Sequence, residues 1–314
     1  MTEVDPPPPP AAPPVAGRAR RMWKPALLLA GLVGLAATVQ ATLHDTQDVT
    51  LPSLLEIVAA FVVTRAALAC GARAWVRLIG PPADPVLVRE ALYQSQLVKY
   101  LPAGGVVQAA SQVAMTATQG VPVRRVTLGY AILAIDTVAA GLVLASGLVF
   151  IPDVPTWVRI LAPVGLLAPL LLLRPVLGAA LRLGRRFWAR VPEPDHLPDQ
   201  GSLWRAFGWC VGLQAFYAAG FTILLHGVSP GVPVIAATLG YALAWVVGFI
   251  VIPLPSGLGL REAVLVAVVP GAAAGPILAA SLVQRLVAIT AEVTAAGGVR
   301  TTRWFRERRV QVTD

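Results

Sequence analysis

Five charged residues stand where a chain of this composition has least room for them. Arg261 and Glu262 follow PLPSGLG, Arg285 and Glu292 lie seven residues apart in a later apolar run, and Asp136 sits about ten residues into the apolar stretch Val126–Ile151. Seven residues are about two helical turns, so Arg285 and Glu292 share a helix face. In hydrocarbon each isolated ionised group costs roughly 2.5–3.5 kcal/mol on insertion scales, so these groups need a partner or a wet cavity. Glu262 with Arg285 is the expected pair. Two chemistries are open: Arg261 or Arg285 holds a phosphate while Glu262 or Glu292 counters a cationic group, or the pair is architectural and ties two helices together. Asp136, with no charge within a turn of it, takes part in proton coupling or headgroup binding, or stays protonated, or pairs with an arginine such as Arg65. Arg65 itself is near enough to a membrane face to snorkel. Gln214 is expected to hydrogen-bond one helix to another.

Beside these charges the chain breaks its own helices twice. YLPAGGVVQAASQ (Tyr100–Gln112) and PLPSGLGLREAVL (Pro253–Leu265) each set Leu-Pro, a small residue and Gly inside or beside apolar sequence. Backbone groups left without helical partners in hydrocarbon cost several kcal/mol each unless protein, water or ligand satisfies them. One such break is an ordinary kink; two similar ones in separate parts of a chain point to a transporter site built from discontinuous helices. A helix starting after each break turns free N–H groups and a positive dipole end toward one region, which suits phosphate or carboxylate. The expected substrate-binding set is therefore Pro102, Gly104, Gly105, Gln108 and Gln112 from the first break, Pro255, Gly257, Gly259, Arg261 and Glu262 from the second, and Asp136, Arg285 and Glu292 from the spans. The first half offers backbone and amides, the second charge.

Other chemistries find less support. Cys70 and Cys210 lie in apolar segments and make neither a disulfide framework nor a zinc site, and His44, His196 and His226 are scattered without metal-ligand spacing. No metal or cofactor is expected. No GxxxxGK[ST] phosphate loop is present, so transport would be driven by an ion gradient, the membrane potential or consumption of the product. The alternative is a membrane-embedded glycosyl or lipid transferase using a polyprenyl donor. It would want acidic residues on an outer loop, where Asp45, Asp48 and Asp153 are available. A membrane scaffold without transport is the third reading.

The elements that must position these residues follow from composition. Of 314 residues 56% are hydrophobic and 13% charged, and the mean hydropathy is +0.71, which excludes an ordinary soluble domain. The expected fold is all-α: a polytopic integral membrane helix bundle of about eight membrane segments plus a re-entrant hairpin, with two Pro/Gly-broken elements. Residues 1–21 read as a Pro-rich cytosolic tail, 22–299 as the transmembrane domain and 300–314 as a basic cytosolic tail. Spans fall at about 25–43, 54–76, 126–151, 157–177, 203–226, 232–252 and 276–298. The short piece 260–270 must cross most of the membrane as a broken or re-entrant helix, and 84–119 forms the hairpin.

Charge supplies the orientation. With the loops 43–53, 152–156 and 226–233 outside, only Arg159 of the 25 Lys and Arg residues falls clearly outside. That positive-inside pattern puts both termini in the cytoplasm and the chain in the cell membrane. The net charge of +9 is thus a matter of topology, and no nucleic-acid partner is expected. The basic segments 182–190 and 300–309 include Phe187, Trp188, Trp304 and Phe305, a mixture that anchors on anionic inner-leaflet lipid.

KYLPAGGVVQAASQVAMTATQGV at Lys99–Val121 and PLPSGLGLREA at Pro253–Ala263 are similar to two signatures of the flippase-like family that includes the transmembrane region of lysylphosphatidylglycerol synthases. The first resembles that family's KYLPG-type turn with its polar helix and closing Gly-Val. The second resembles P-x-P-x-G-x-G-x-x-E, followed by a helix bearing Gln284 and Arg285. The second match is complete in Pro253, Pro255, Gly257, Gly259 and Glu262; the first is looser, since many members carry charge where this chain has Gly105, Val106 and Val107. The resemblance covers roughly residues 25–300. It implies a protein that moves or handles an amphipathic lipid, such as an aminoacylated phospholipid or a polyprenyl-linked sugar. Membrane lipids are then the partners, along with a lipid-modifying enzyme. In bifunctional relatives a separate cytosolic domain attaches the amino acid. Only sixteen residues follow Gly298, so the chain is not expected to be the aminoacyl-transferase itself.

Overall fold

Ser53 and Glu56 start the first described helix by closing on each other. The Glu56 amide donates to Ser53 Oγ at 3.4 Å and the Ser53 amide to the Glu56 carboxylate at 2.6 Å, which satisfies two orphan donors at once. From there α1, Leu54–Ile79, runs to Gly80, whose φ of +61° is open to glycine at little strain. The structure is a computed structural model that describes residues 51–99, 104–187, 194, 197–250 and 259–313. The span expected at 25–43 lies outside the described residues, as do Pro102, Pro255 and Gly257.

Helices follow one another without a strand among the described residues. They are α2 (Pro85–Val98), α3 (Gly104–Ala117), α4 (Val123–Ala145, prolonged by a 3₁₀ turn at Ser146–Phe150) and α5 (Thr156–Leu161), which continues as a 3₁₀ helix, Ala162–Leu172. Then come α6 (Arg174–Phe187), α7 (Gln200–Val228), α8 (Val234–Ile250), α9 (Leu260–Val268) and α10 (Ala274–Thr313). Asp84 opens α2 by accepting from the Val86 amide at 2.7 Å, and Asp199 opens α7 by accepting from the Ser202 amide at 2.9 Å.

Four helices are long and apolar enough to cross a membrane: Leu54–Ile79, Val123–Phe150, Gln200–Val228 and Ala274–Thr301. The burial pattern agrees with lipid as the solvent. Leu55, Val62, Ile160, Leu166 and Leu286 point outward, while Thr64, Gln112, Asp136, Gln214 and Gln284 are buried. Apolar outside and polar inside reverses the arrangement water imposes, and fits a multi-pass membrane protein.

With no hydrophobic drive between helices in lipid, close packing must come from small residues. α1 and α7 supply it. Gly212 faces Cys70, Gly220 faces Thr64 and Gly227 faces Glu56, so the two helices run antiparallel with their backbones close together. A Cβ on Gly71 would stand 2.7 Å from Leu213 Cδ1. Around this pair the apolar core gathers in three clusters: one on Phe221, Leu224, Tyr241 and Ile277, one on Trp75, Tyr93 and Ala291, and one on Ile132, Leu177 and Leu203.

The stretch expected as a span at 157–177 takes another form. Only Thr156–Leu161 is α-helical, and Ala162–Leu172 is wound as 3₁₀ with Pro169 inside it, after which the chain turns by 90° into α6. Proline lacks the donor an α-helix needs and clashes with the preceding turn. The tighter winding also lengthens the segment: six residues at about 1.5 Å and eleven at about 2.0 Å reach roughly 31 Å, close to the hydrocarbon thickness. By contrast α9, with nine residues, is only about 13.5 Å long and covers less than half of that thickness.

Candidate functional site

The second break ends in a turn that its own glutamate closes. Gly259, at φ +82°, caps α9, and its amide donates to Glu262 Oε2 at 2.9 Å. This is what the G-x-x-E spacing does: it puts the carboxylate at the third helical position, within reach of the cap's N–H. The other oxygen, Oε1, accepts from Arg285 Nη2 of α10 at 2.8 Å. Glu262 is buried, so the pair expected from the sequence is formed out of bulk water. Next to it the Arg261 guanidinium lies 4.9 Å from the centre of the Tyr241 ring, which is itself stacked on Phe221. A cation over an aromatic face gains its attraction without a counter-ion.

The first break is tied to the same helix. α2 and α3 form a helical hairpin in which Ser95 Oγ donates to Gln112 Oε1 at 3.3 Å. Lys99, at the end of α2, donates to Gln96 Oε1 at 3.2 Å and forms an ion pair with Glu292 of α10, a carboxylate with no solvent exposure. Arg65 of α1 reaches α10 one residue earlier, donating to the Ala291 carbonyl at 3.2 Å. A helix interior carbonyl already has its intrahelical partner, so this bond uses the second lone pair.

α10 therefore carries two grips, Arg285 and Glu292, about 10.5 Å apart along its axis. One holds the helix after the second break, the other the helix before the first. About two turns before Glu292, Gln284 donates to Thr64 Oγ1 at 3.4 Å across the α1 seam. Several acceptors and donors in this region have no hydrogen-bond partner among the described residues: Glu292 Oε2, Gln284 Oε1, Gln112 Nε2 and Thr116 Oγ1. Buried groups left so are uncommon, and each is a place for water or a ligand atom.

Not every expected residue joins this group. Gly104 and Gly105 open α3 with Gly105 exposed, and Gln108 is half-buried. Asp136 is fully buried on α4, and neither of its oxygens has a hydrogen-bond partner among the described residues. It neighbours the seam with α7, where Thr137 Oγ1 lies 3.7 Å from Cys210 Sγ and Gln214 donates to the Thr137 carbonyl at 3.1 Å. The helix-to-helix bond expected of Gln214 is thus present. The arginine considered as a partner for Asp136, Arg65, is engaged with Ala291 instead.

Lys99 was visible in the sequence, two residues ahead of the first Leu-Pro, but a lysine at a helix end reads as an interfacial anchor until its partner is seen. The partner is 193 positions away. Arg285 and Glu292 share a face, and each is paired with a different element: Arg285 with Glu262 of α9, as expected, and Glu292 with Lys99 at the end of α2. Among the described residues no group of three metal-ligating side chains comes together. Neither a scan against protein-family models nor a search of curated proteins finds a match for this chain.

Proposed function

We propose that this chain is a flippase-like translocase of an anionic, aminoacylated or polyprenyl-linked lipid, whose headgroup binds between the two broken elements. One observation carries the reading: each element is held to a single helix by an ion pair on a buried carboxylate, Lys99 with Glu292 and Glu262 with Arg285. Removing one partner of a buried pair strands a charge at about 3–5 kcal/mol. Such a pair opens readily only when something else supplies the missing charge. A lipid phosphate can replace Glu262 at Arg285, or Glu292 at Lys99, and an aminoacyl ammonium can replace Lys99 at Glu292. Opening the elements and binding the headgroup then become one event, and release lets the pairs re-form.

In this reading the chain lies in the cell membrane with about eight segments, both termini in the cytoplasm and the α2–α3 hairpin re-entering from the arginine-rich side. Non-helical backbone at membrane depth requires shelter from lipid, which in this reading the long helices supply. The complete second signature and the looser first one, with their likeness to the flippase-like family, support the same substrate class.

The test is reconstitution with a fluorescent anionic lipid and with a polyprenyl phosphate probe, followed by dithionite quenching. The expected result is faster exposure of the probe than in protein-free vesicles, lost in Arg285→Gln and in Lys99→Met. No acceleration with any of these lipids overturns the proposal, and cytosolic labelling of a cysteine placed in the 43–53 loop overturns the topology.

A further inference from the structure

Away from the ion pairs, the arginine-rich end of the bundle holds an open cleft of about 680 Å³. It forms where the last turn of α1 meets the starts of α2, α4 and α7, and the ends are brought together by the turn at Gly80. Arg77 and Arg125 line it. Arg125 packs across Gly80, where a Cβ would stand 3.1 Å from its Nη2, and the positive φ there favours glycine. Neither Arg77 nor Arg125 has a hydrogen bond or ion pair among the described residues.

The remaining lining decides what these two cations face. Val76, Val88 and Leu197 make the walls apolar. Asp199 is the acidic residue on the rim, and its carboxylate is committed, accepting from the Ser202 amide at 2.9 Å and the Ser202 hydroxyl at 2.6 Å. α4, whose first turn carries Arg125, has no capping side chain, so its positive end adds to the local potential. Two free guanidiniums beside apolar walls match a ligand with a phosphate at one end and a greasy body at the other. Inorganic phosphate would fill only a small part of such a volume.

We propose that this cleft binds the headgroup phosphate of an anionic phospholipid from the leaflet at this end of the bundle, with Arg77 and Arg125 as the phosphate ligands. None of its residues belongs to the ion pairs on α10, so the site stands whether or not the protein translocates lipid. Glycerol 3-phosphate shares the phosphate chemistry without the greasy body and separates a lipid site from a soluble-phosphate site.

The full chain, purified in uncharged detergent, is titrated with phosphatidylglycerol, phosphatidylcholine and glycerol 3-phosphate while thermal unfolding is followed. Phosphatidylglycerol is expected to raise the midpoint and phosphatidylcholine to leave it unchanged. In the Arg77→Gln/Arg125→Gln variant the half-saturating phosphatidylglycerol concentration is expected to rise about tenfold or more, the loss of charge-assisted hydrogen bonds to phosphate. Arg159→Gln, an exposed arginine of α5 that lines no part of the cleft, serves as the control and is expected to match the parent. An equal response to phosphatidylcholine, or unchanged phosphatidylglycerol binding in the double variant, overturns the site; an equal response to glycerol 3-phosphate overturns the lipid assignment. If the double variant does not fold, native mass spectrometry of Arg77→Gln and Arg125→Lys decides the matter: fewer retained phosphatidylglycerol molecules sustain the proposal, and unchanged retention sinks it.

Discussion

Lys99, two residues before the first Leu-Pro, is ion-paired with Glu292, a fully buried carboxylate 193 residues further along the chain. The pair joins the α2–α3 hairpin to α10. Lys99→Met leaves that carboxylate buried without its counter-ion and is expected to destabilise the protein by about 3–5 kcal/mol, whereas Lys99→Met with Glu292→Met recovers most of the loss. Reversible denaturation in detergent, run as a double-mutant cycle, measures the coupling; additive single effects would mean that the pair does not act as a unit.

Glu262 has two tasks that substitution can separate. Glu262→Gln keeps an acceptor for the Gly259 amide but loses the charge facing Arg285, while Glu262→Ala loses both. The alanine variant is expected to be the less stable of the two by about 0.5–2 kcal/mol, the usual worth of a helix cap. Lipid exposure in dithionite assays is expected to fall in both, because the charge is absent from each.

Asp136 is a buried polar side chain with no hydrogen-bond partner among the described residues, an arrangement that costs about 1–3 kcal/mol relative to a satisfied or apolar group. Asp136→Leu, similar in length and without polar atoms, is expected to raise the unfolding midpoint. A variant that is more stable yet fails to translocate would identify Asp136 as a group retained for function at the expense of stability.

Gly220 keeps α1 and α7 in contact, and a Cβ there would come 3.2 Å from Thr64 Oγ1 and 3.5 Å from Gln284 Nε2. Gly220→Val is expected to cost about 1–3 kcal/mol through overpacking. Gly208, where a Cβ meets nothing within 4 Å, is the matched control, and Gly208→Ala is expected to fold as the parent does.

Asp199 carries a pH dependence that can be signed. The Ser202 hydroxyl and then its amide hold the carboxyl below its usual value. A depressed folded-state value contributes stability above the unfolded value near 3.9, and that contribution is lost as pH falls through the lower folded value. The unfolding midpoint of Asp199→Asn is therefore expected to show a shallower acid-side decline than the parent, measured between pH 5 and about 2.

The long spans were legible because lipid imposes a rule that composition alone must obey: a charge-free run long enough to cross. The expected runs at 54–76, 126–151, 203–226 and 276–298 fall on Leu54–Ile79, Val123–Phe150, Gln200–Val228 and Ala274–Thr301. The 157–177 run obeys the same rule of composition, but hydropathy carries no information on how the backbone winds, and its 3₁₀ form depends on prolines and on packing against α4. Within the site, Glu262 with Arg285 was legible because a charge in hydrocarbon needs a counter-charge and the two lie on successive segments. Lys99 with Glu292 was not, since spacing along one helix says which side chains share a face and nothing about which other element arrives there. Asp136 shows the complementary limit. A buried acid without a counter-charge looks, in sequence, the same as one whose partner has still to be found.

α10 is 40 residues long without an interruption, about 60 Å of continuous helix. Its two grips sit on a stiff rod, so the elements they hold are geared together: neither can slide along the membrane normal without either dragging the other or snapping its own tether. A single step of the rod along its axis would carry both tethered elements in the same instant. Timing between the two halves of the chain is then a matter of mechanics, with no signal needing to pass through the loops that separate them in sequence.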